Sequence, residues 1–210
     1  MGETGLIPVF NHSDIVVAKN VLDASYQGGI RVFEFTNRGE NALAVFAALA
    51  DYGQQYDDLK LGIGTIFTAA DAEAFLDAGA DFVVSPAFIP EVADHCNARK
   101  VLWISGCGTV TEIYQALQEG ATLIKAFPGN VLGPGFVQSV KAVYPEVPIM
   151  PTGGVKPTEE NLSAWILAGV HCVGMGSQLF DKQKIAQGRF DELSDKISET
   201  LKLIQKLQSQ

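Results

Sequence analysis

Lys125 stands near the end of a short, mostly apolar run, Ala121 to Phe127, which reads as a buried strand. An ammonium group loses its hydration in such a place, and burial favours the neutral amine. A neutral amine is a nucleophile that attacks carbonyls and forms Schiff bases. The structural alternative is a lysine that reaches solvent or pairs with a carboxylate. Glu34 is the second residue of interest, set between Phe33 and Phe35 in another apolar run. A carboxyl group held among apolar side chains can move protons near neutral pH; the structural alternative, an ion pair with Arg38 or Lys125, also places it beside a cation, so the two are not exclusive. Arg38 follows four residues later. Its fork of donors suits a substrate carboxylate bound through both oxygens, and its charge would favour the neutral form of a nearby lysine. The alternative for Arg38 is a surface position in a loop.

These residues need a scaffold that brings distant segments together. Eight apolar runs recur along the chain, at Leu6–Phe10, Val32–Phe35, Leu61–Ile63, Phe82–Ser85, Val101–Ile104, Leu123–Ala126, Ile149–Thr152 and Cys172–Met175. Most are apolar without alternation, as expected of parallel strands covered on both faces. Helical patterns fill gaps between them. Val16, Val17, Val21, Leu22 and Tyr26 form one stripe that ends at Gly28-Gly29. Leu43, Phe46, Ala47 and Ala50 form a second, ended by Gly53. Ala72 to Gly79, Thr111 to Gly120 and Thr158 to Gly169 repeat the plan, each closing on glycine. Phe190, Leu193, Ile197, Leu201 and Ile204 mark a last amphipathic helix, suited to covering the exterior or to contacting a partner subunit. No linker divides the chain, so the expected fold is a single-domain (β/α)8 TIM barrel of the α/β class spanning residues 1–210. An open doubly wound sheet is the alternative. It would more often place Gly-x-Gly-x-x-Gly after the first strand, where Phe10-Asn11-His12-Ser13 stands instead.

In a barrel, chemistry gathers at the C-terminal strand ends. Glu34, Thr36 and Arg38 fall at the second, Gly64-Thr65 at the third, Ser85-Pro86 at the fourth and Ser105-Gly106 at the fifth. Lys125 is on the sixth, with Gly153-Gly154 after the seventh and Gly176-Ser177 after the eighth. Phosphate commonly binds at the last two loops of such barrels, where glycine lets backbone N–H groups approach an anion. Tight turns also require glycine, but two such turns on adjacent strands favour an anion site.

Composition narrows the partners. The chain has 210 residues, a formal net charge of −9 and a pI near 4.7, which argues against nucleic acid and anionic membrane as partners. Cys96, Cys107 and Cys172, and His12, His95 and His171, show no ligand or disulfide spacing, so neither a metal nor a disulfide framework is expected. No signal peptide and no membrane-length apolar run is evident, and a cytoplasmic location is expected.

The strand-end motifs resemble those of the 2-keto-3-deoxy-6-phosphogluconate (KDPG) and 4-hydroxy-2-oxoglutarate (KHG) aldolase family. The resemblance is carried by Gly29-Ile30-Arg31-Val32-Phe33-Glu34-Phe35-Thr36-Asn37-Arg38, Gly62-Ile63-Gly64-Thr65 and Val84-Ser85-Pro86. It continues through Gly106-Cys107-Gly108-Thr109-Val110-Thr111-Glu112, Ile124-Lys125-Ala126-Phe127-Pro128, Pro151-Thr152-Gly153-Gly154-Val155 and Gly174-Met175-Gly176-Ser177. It implies a class I aldolase without metal or other cofactor, usually trimeric, that cleaves a 2-keto-3-deoxy-4-hydroxy acid to pyruvate and an aldehyde. The substrate implied first is KDPG, with glyceraldehyde 3-phosphate as the aldehyde, as in the Entner–Doudoroff route. By this likeness Lys125 is the Schiff-base lysine and Glu34 the general acid/base. Arg38 and Thr65 hold the pyruvoyl carboxylate, Pro86 shapes the same wall, and Gly153, Gly154, Gly176 and Ser177 receive the phosphate. Two departures stand out: Asn11 occupies a position where many members carry arginine, and Ser105 replaces a common proline, a change expected to affect loop rigidity. Two other readings fit the glycine turns: a phosphate-binding barrel isomerase or synthase without covalent catalysis, and a non-catalytic sugar-acid-binding barrel.

Overall fold

A computed structural model describes residues 5–209; the ends of the 1–210 span, residues 1–4 and 210, lie outside the described residues. Eight parallel strands alternate with helices. The strands are β1 (Leu6–Phe10), β2 (Val32–Thr36), β3 (Lys60–Gly64), β4 (Phe82–Ser85), β5 (Leu102–Cys107), β6 (Ile124–Ala126), β7 (Ile149–Pro151) and β8 (Val173–Met175). They run in the order β7-β6-β5-β4-β3-β2-β1-β8. The two edges meet through a Thr152–Gly174 bridge and the His171 N–H bond to the Ile149 carbonyl, so the sheet closes as a (β/α)8 barrel.

Each strand divides its side chains between two cores, because successive residues point to opposite faces. Phe33, Phe35, Ile63, Val83, Trp103 and Ile124 face the helices. Ile7, Val32, Phe82, Val84, Ile104, Leu123, Met150 and Cys172 fill the lumen. Glu34 lies between two outward phenylalanines and therefore points inward. Burying a side chain such as Phe82 is worth about 1.5–3 kcal/mol. Its room comes from Gly62, where a Cβ would stand 2.3 Å from the Phe82 ring.

The helices are α1 (Ile15–Gln27), α2 (Ala42–Gly53), α3 (Ala69–Asp77), α4 (Pro90–Arg99), α5 (Val110–Gln118), α6 (Gly129–Val143), α7 (Glu159–Leu167), α8 (Lys182–Ala186) and α9 (Phe190–Gln208). Side-chain caps fix several starts. Asp14 accepts from the amides of Val16 and Val17. Thr68, Thr109 and Thr158 each accept from the amide three residues on. At α5 the cap is reciprocal, since Glu112 Oε2 accepts from the Gly108 amide at 2.9 Å. α9 lies on the barrel exterior, with Leu193, Ile197, Leu201 and Ile204 buried. A Cβ on Gly28 would stand 2.8 Å from Ile197 Cγ2, so that glycine lets α9 press against the end of α1. No helix among the described residues is long and apolar enough to cross a membrane.

Three helices lie outside the stripes read from the sequence. α4 buries only Val92, Ala93 and Cys96. α6 is two helical pieces joined at Gly133, whose φ of 69° and the following Pro134 break the pattern. α8 has five residues. One expectation is corrected. Ser105 lies inside β5 and is wholly buried, so its exchange for proline concerns the strand and the outer core and not a loop.

Candidate active site

Lys125 and Glu34 meet inside the C-terminal half of the barrel. Lys125 Nζ donates to Glu34 Oε1 at 3.3 Å, with Glu34 fully buried and Lys125 only 4 % exposed. Register explains the meeting. Lys125 pairs with Gly106 on β5 and Met150 on β7, while Glu34 pairs with Val9 on β1 and Gly62 on β3, so the two side chains reach across the lumen from different strands. The Phe127 ring, two residues on, has its centroid 5.5 Å from the ammonium nitrogen. Of the two partners foreseen for Glu34, the structure provides Lys125. Arg38 is exposed and makes no ion pair among the described residues.

Burying two ions costs several kcal/mol for each, and apolar residues of the same volume often serve the fold as well or better. The pair is therefore poorly explained by stability. Glu34 Oε2 has no hydrogen-bond partner among the described residues. A buried carboxylate oxygen left open costs about 1–3 kcal/mol or more, and it leaves an acceptor for a proton or a bound hydroxyl.

Two glycines carve the space around this pair. A Cβ on Gly64 would stand 1.9 Å from Glu34 Oε1, and one on Gly106 would stand 2.2 Å from the Pro86 carbonyl. Gly64 thus holds the room for the carboxylate, and Gly106 the room for the β4–α4 turn to fold over β5. Thr65 follows Gly64 with φ of 66°, a left-handed conformation that a β-branched residue rarely adopts and that gathers at functional sites. Gly64→Ala should fold, because the atom in its way is the end of a side chain. The displaced carboxylate should lower kcat/KM by about 100-fold, the scale of a 1 Å misplacement, read by steady-state kinetics alongside a thermal melt.

A cavity of about 890 Å³ opens at the C-terminal face. It brings together Arg38, Gly153, Gly154, Gly176 and Ser177 from the sequence-derived set. Lys125, Glu34, Thr65 and Pro86 do not line it. The lysine and carboxylate precede its Phe127 and Thr36 by two residues, Thr36 ending β2 and Phe127 following β6. Gly153 and Gly154 have φ of 94° and 74°, and a Cβ on Gly154 would stand 2.7 Å from Asn130 Cβ. The turn is pinned from below by the Gly129 amide, which donates to the Thr152 carbonyl at 2.8 Å. Thr152 Oγ1, buried, has no partner among the described residues and adjoins Gly174.

Lys182 and His12 also line the cavity, and sequence reasoning passed over both as site residues. The only available signal was their nearness to the ends of β8 and β1. Other nucleophiles are poor candidates. The three cysteines are free and buried, and burial pushes Cys96 and Cys107 up to about 11 and Cys172 up to about 12, which leaves almost no thiolate near neutrality. Among the described residues no three His, Cys, Asp or Glu side chains come together in a way that could hold a metal.

A family model for KDPG and KHG aldolase matches residues 1–196. A 2-dehydro-3-deoxy-phosphogluconate aldolase of Treponema pallidum (strain Nichols) is 34 % identical over 200 residues, covering 95 % of this chain and 93 % of the relative. A 2-dehydro-3-deoxy-6-phosphogalactonate aldolase of Escherichia coli (strain K12) is 34 % identical over 125 residues, 59 % of this chain and 60 % of the relative. Among solved structures, a KDPG aldolase from Legionella pneumophila, with pyruvate captured at low pH as a covalent carbinolamine, superposes with a TM-score of 0.85. It is 26 % identical over 94 % of this chain and 96 % of that one.

Proposed function

The chain belongs to the KDPG and KHG aldolase family, and from that premise we propose that it is a class I aldolase with Lys125 as the Schiff-base lysine. The buried Lys125–Glu34 pair carries this reading, with one carboxylate oxygen engaged by the amine and the other open. The substrate is a 2-keto-3-deoxy-4-hydroxy acid, with KDPG the first choice. Residues 1–210 act as one aldolase domain, in the cytoplasm, and the Entner–Doudoroff route is the pathway proposed for it. The carbinolamine in the Legionella relative supports covalent chemistry of the same kind here.

The unprotonated Lys125 amine attacks the C2 ketone. Loss of water gives an iminium, which draws electrons from the C3–C4 bond. Glu34 Oε2 takes the C4 hydroxyl proton, the bond breaks, and an aldehyde leaves. The remaining enamine is protonated at C3, and water releases pyruvate and restores the amine. Arg38 and Thr65 hold the substrate carboxylate against the Pro86 wall. The left-handed turn at Gly153 and Gly154, with Gly176 and Ser177, receives a terminal phosphate.

A panel of 2-keto-3-deoxy acids, with and without the terminal phosphate, tests the reading when pyruvate release is measured. Activity toward none of them removes it. A homotrimer, implied by the resemblance, is the assembly proposed for it. Light scattering on the purified chain should then give the mass of three chains, and a monomer would rule the trimer out.

A further inference from the structure

The glycine turns and Ser177 carry no fixed positive charge, and Asn11 at the end of β1 offers only an amide. The cavity nevertheless has a sign. Among the described residues that line it none is aspartate or glutamate, although the chain holds 24 acidic residues against 15 basic. Its fixed cations are Arg38 and Lys182. His12 also lines it, with its Nδ1 accepting from the Asp14 amide at 3.0 Å.

The two cations stand at different places. Arg38 follows β2, Lys182 begins α8 after β8, and β1 lies between those strands in the barrel. They therefore flank the end of β1, with Lys182 on the side of Ser177 and the β7 turn. Four cations lie between residues 182 and 196, and three of them are engaged. Lys184 pairs with Glu192 at 3.0 Å, and Arg189 pairs with the same carboxylate. Lys196 donates to the Gln178 carbonyl at 2.7 Å and so ties α9 to the loop that carries Ser177. Lys182 makes no ion pair or side-chain hydrogen bond among the described residues. Its acidic neighbour Asp181 has Oδ1 committed to the amides of Gln183 and Lys184, which hold that carboxyl below its usual range.

We propose that Lys182 is the specificity-determining cation for the distal anion of the substrate, a terminal phosphate ester, acting opposite Arg38 at the keto-acid end. The proposal rests on the aldolase reading. A second carboxylate shares the chemistry of a phosphate but carries less charge and fewer acceptor oxygens. The ammonium, unpaired among the described residues, shares the cavity with glycine turns that themselves suit phosphate.

The test compares the full-length enzyme with Lys182→Gln and Lys182→Arg. Substrates are KDPG, its unphosphorylated counterpart and 4-hydroxy-2-oxoglutarate. Lys182→Gln should lower the preference for KDPG over the unphosphorylated acid, as a ratio of kcat/KM values, by about tenfold or more. The loss should sit in KM and not in kcat, and Lys182→Arg should restore most of it. Calorimetry with inorganic phosphate should show matching weakening, and this readout needs no turnover. An unchanged ratio with unchanged phosphate affinity overturns the proposal. A change in preference confined to 4-hydroxy-2-oxoglutarate would assign Lys182 to a carboxylate and overturn the phosphate form. Borohydride trapping of pyruvate at Lys125 in the unaltered enzyme reports separately on the aldolase reading. Loss of phosphate affinity without trapping would leave an anion site and remove the aldolase.

Discussion

Lys125→Met should abolish cleavage of every 2-keto-3-deoxy acid that the unaltered enzyme turns over, with a fall in kcat of about 10⁴-fold or more, the scale for loss of a covalent nucleophile. Reduction with borohydride in the presence of pyruvate should label Lys125 in the parent and leave the variant unlabelled. The side chain of methionine fills similar space, so the expected loss is chemical. The variant also carries a second, separable effect. Removing one partner of a buried ion pair leaves the other charge uncompensated, at a cost of about 3–5 kcal/mol. Glu34 is fully buried and Lys125 is its sole ionic partner among the described residues. The single variant should therefore melt well below the parent. Lys125→Met/Glu34→Gln, with no charge left in the lumen, should recover most of that stability and none of the activity. Trapping at another lysine, or a Lys125→Met enzyme that still forms the adduct, would take the Schiff base away from this residue. An unstable double variant would show that the pair serves the fold.

The separation of these effects follows from what the chain states locally and what only the barrel states. The eight strands were legible because each is a dense apolar run between glycine-closed helices, and their boundaries agree with the structure to within about three residues. β5 shows where this fails. Its apolar signal ends at Ile104, yet the strand continues to Cys107. Gly106 reads as a turn residue, but it is a strand residue whose missing side chain admits the Pro86 turn. α6 was hidden for the opposite reason: Gly129, Gly133, Pro134 and Gly135 read as breakers, and the chain makes two helical pieces around them.

The site was legible in part. Lys125 and Glu34 each violate an apolar pattern, so composition alone singles them out, and strand alternation turns Glu34 into the lumen. Their partnership, 91 residues apart in sequence, is a property of register. Arg38, four positions after Glu34, stands exposed at the mouth and lines the cavity there, while the carboxylate lies below it. Lys182 was invisible because a lysine that opens a short, mostly polar helix looks like any solvated charge. Only the cavity, and the engagement of its cationic neighbours elsewhere, sets it apart.

Glu34→Gln should separate imine formation from bond cleavage. Glutamine keeps the volume, and its amide oxygen can still accept from Lys125, but it cannot take a proton from the C4 hydroxyl. Loss of a positioned general base costs about 10²–10⁴-fold, and that loss should appear in kcat for cleavage. Trapping with pyruvate should persist, because the amine that forms the imine remains in place. Exchange of the pyruvate methyl protons with deuterated solvent, which requires the imine to pass through the enamine, should slow with cleavage if Glu34 also serves the C3 carbon. The barrel offers few substitutes for this role. Glu34 is the only carboxylate in the lumen among the buried described residues, and the cavity above it is lined by no other. A Glu34→Gln enzyme with unchanged turnover would therefore require the hydroxyl proton to leave by a water path from the mouth, and would reduce Glu34 to a counter-charge for Lys125. A variant that loses trapping and cleavage together would instead place Glu34 in the formation of the imine.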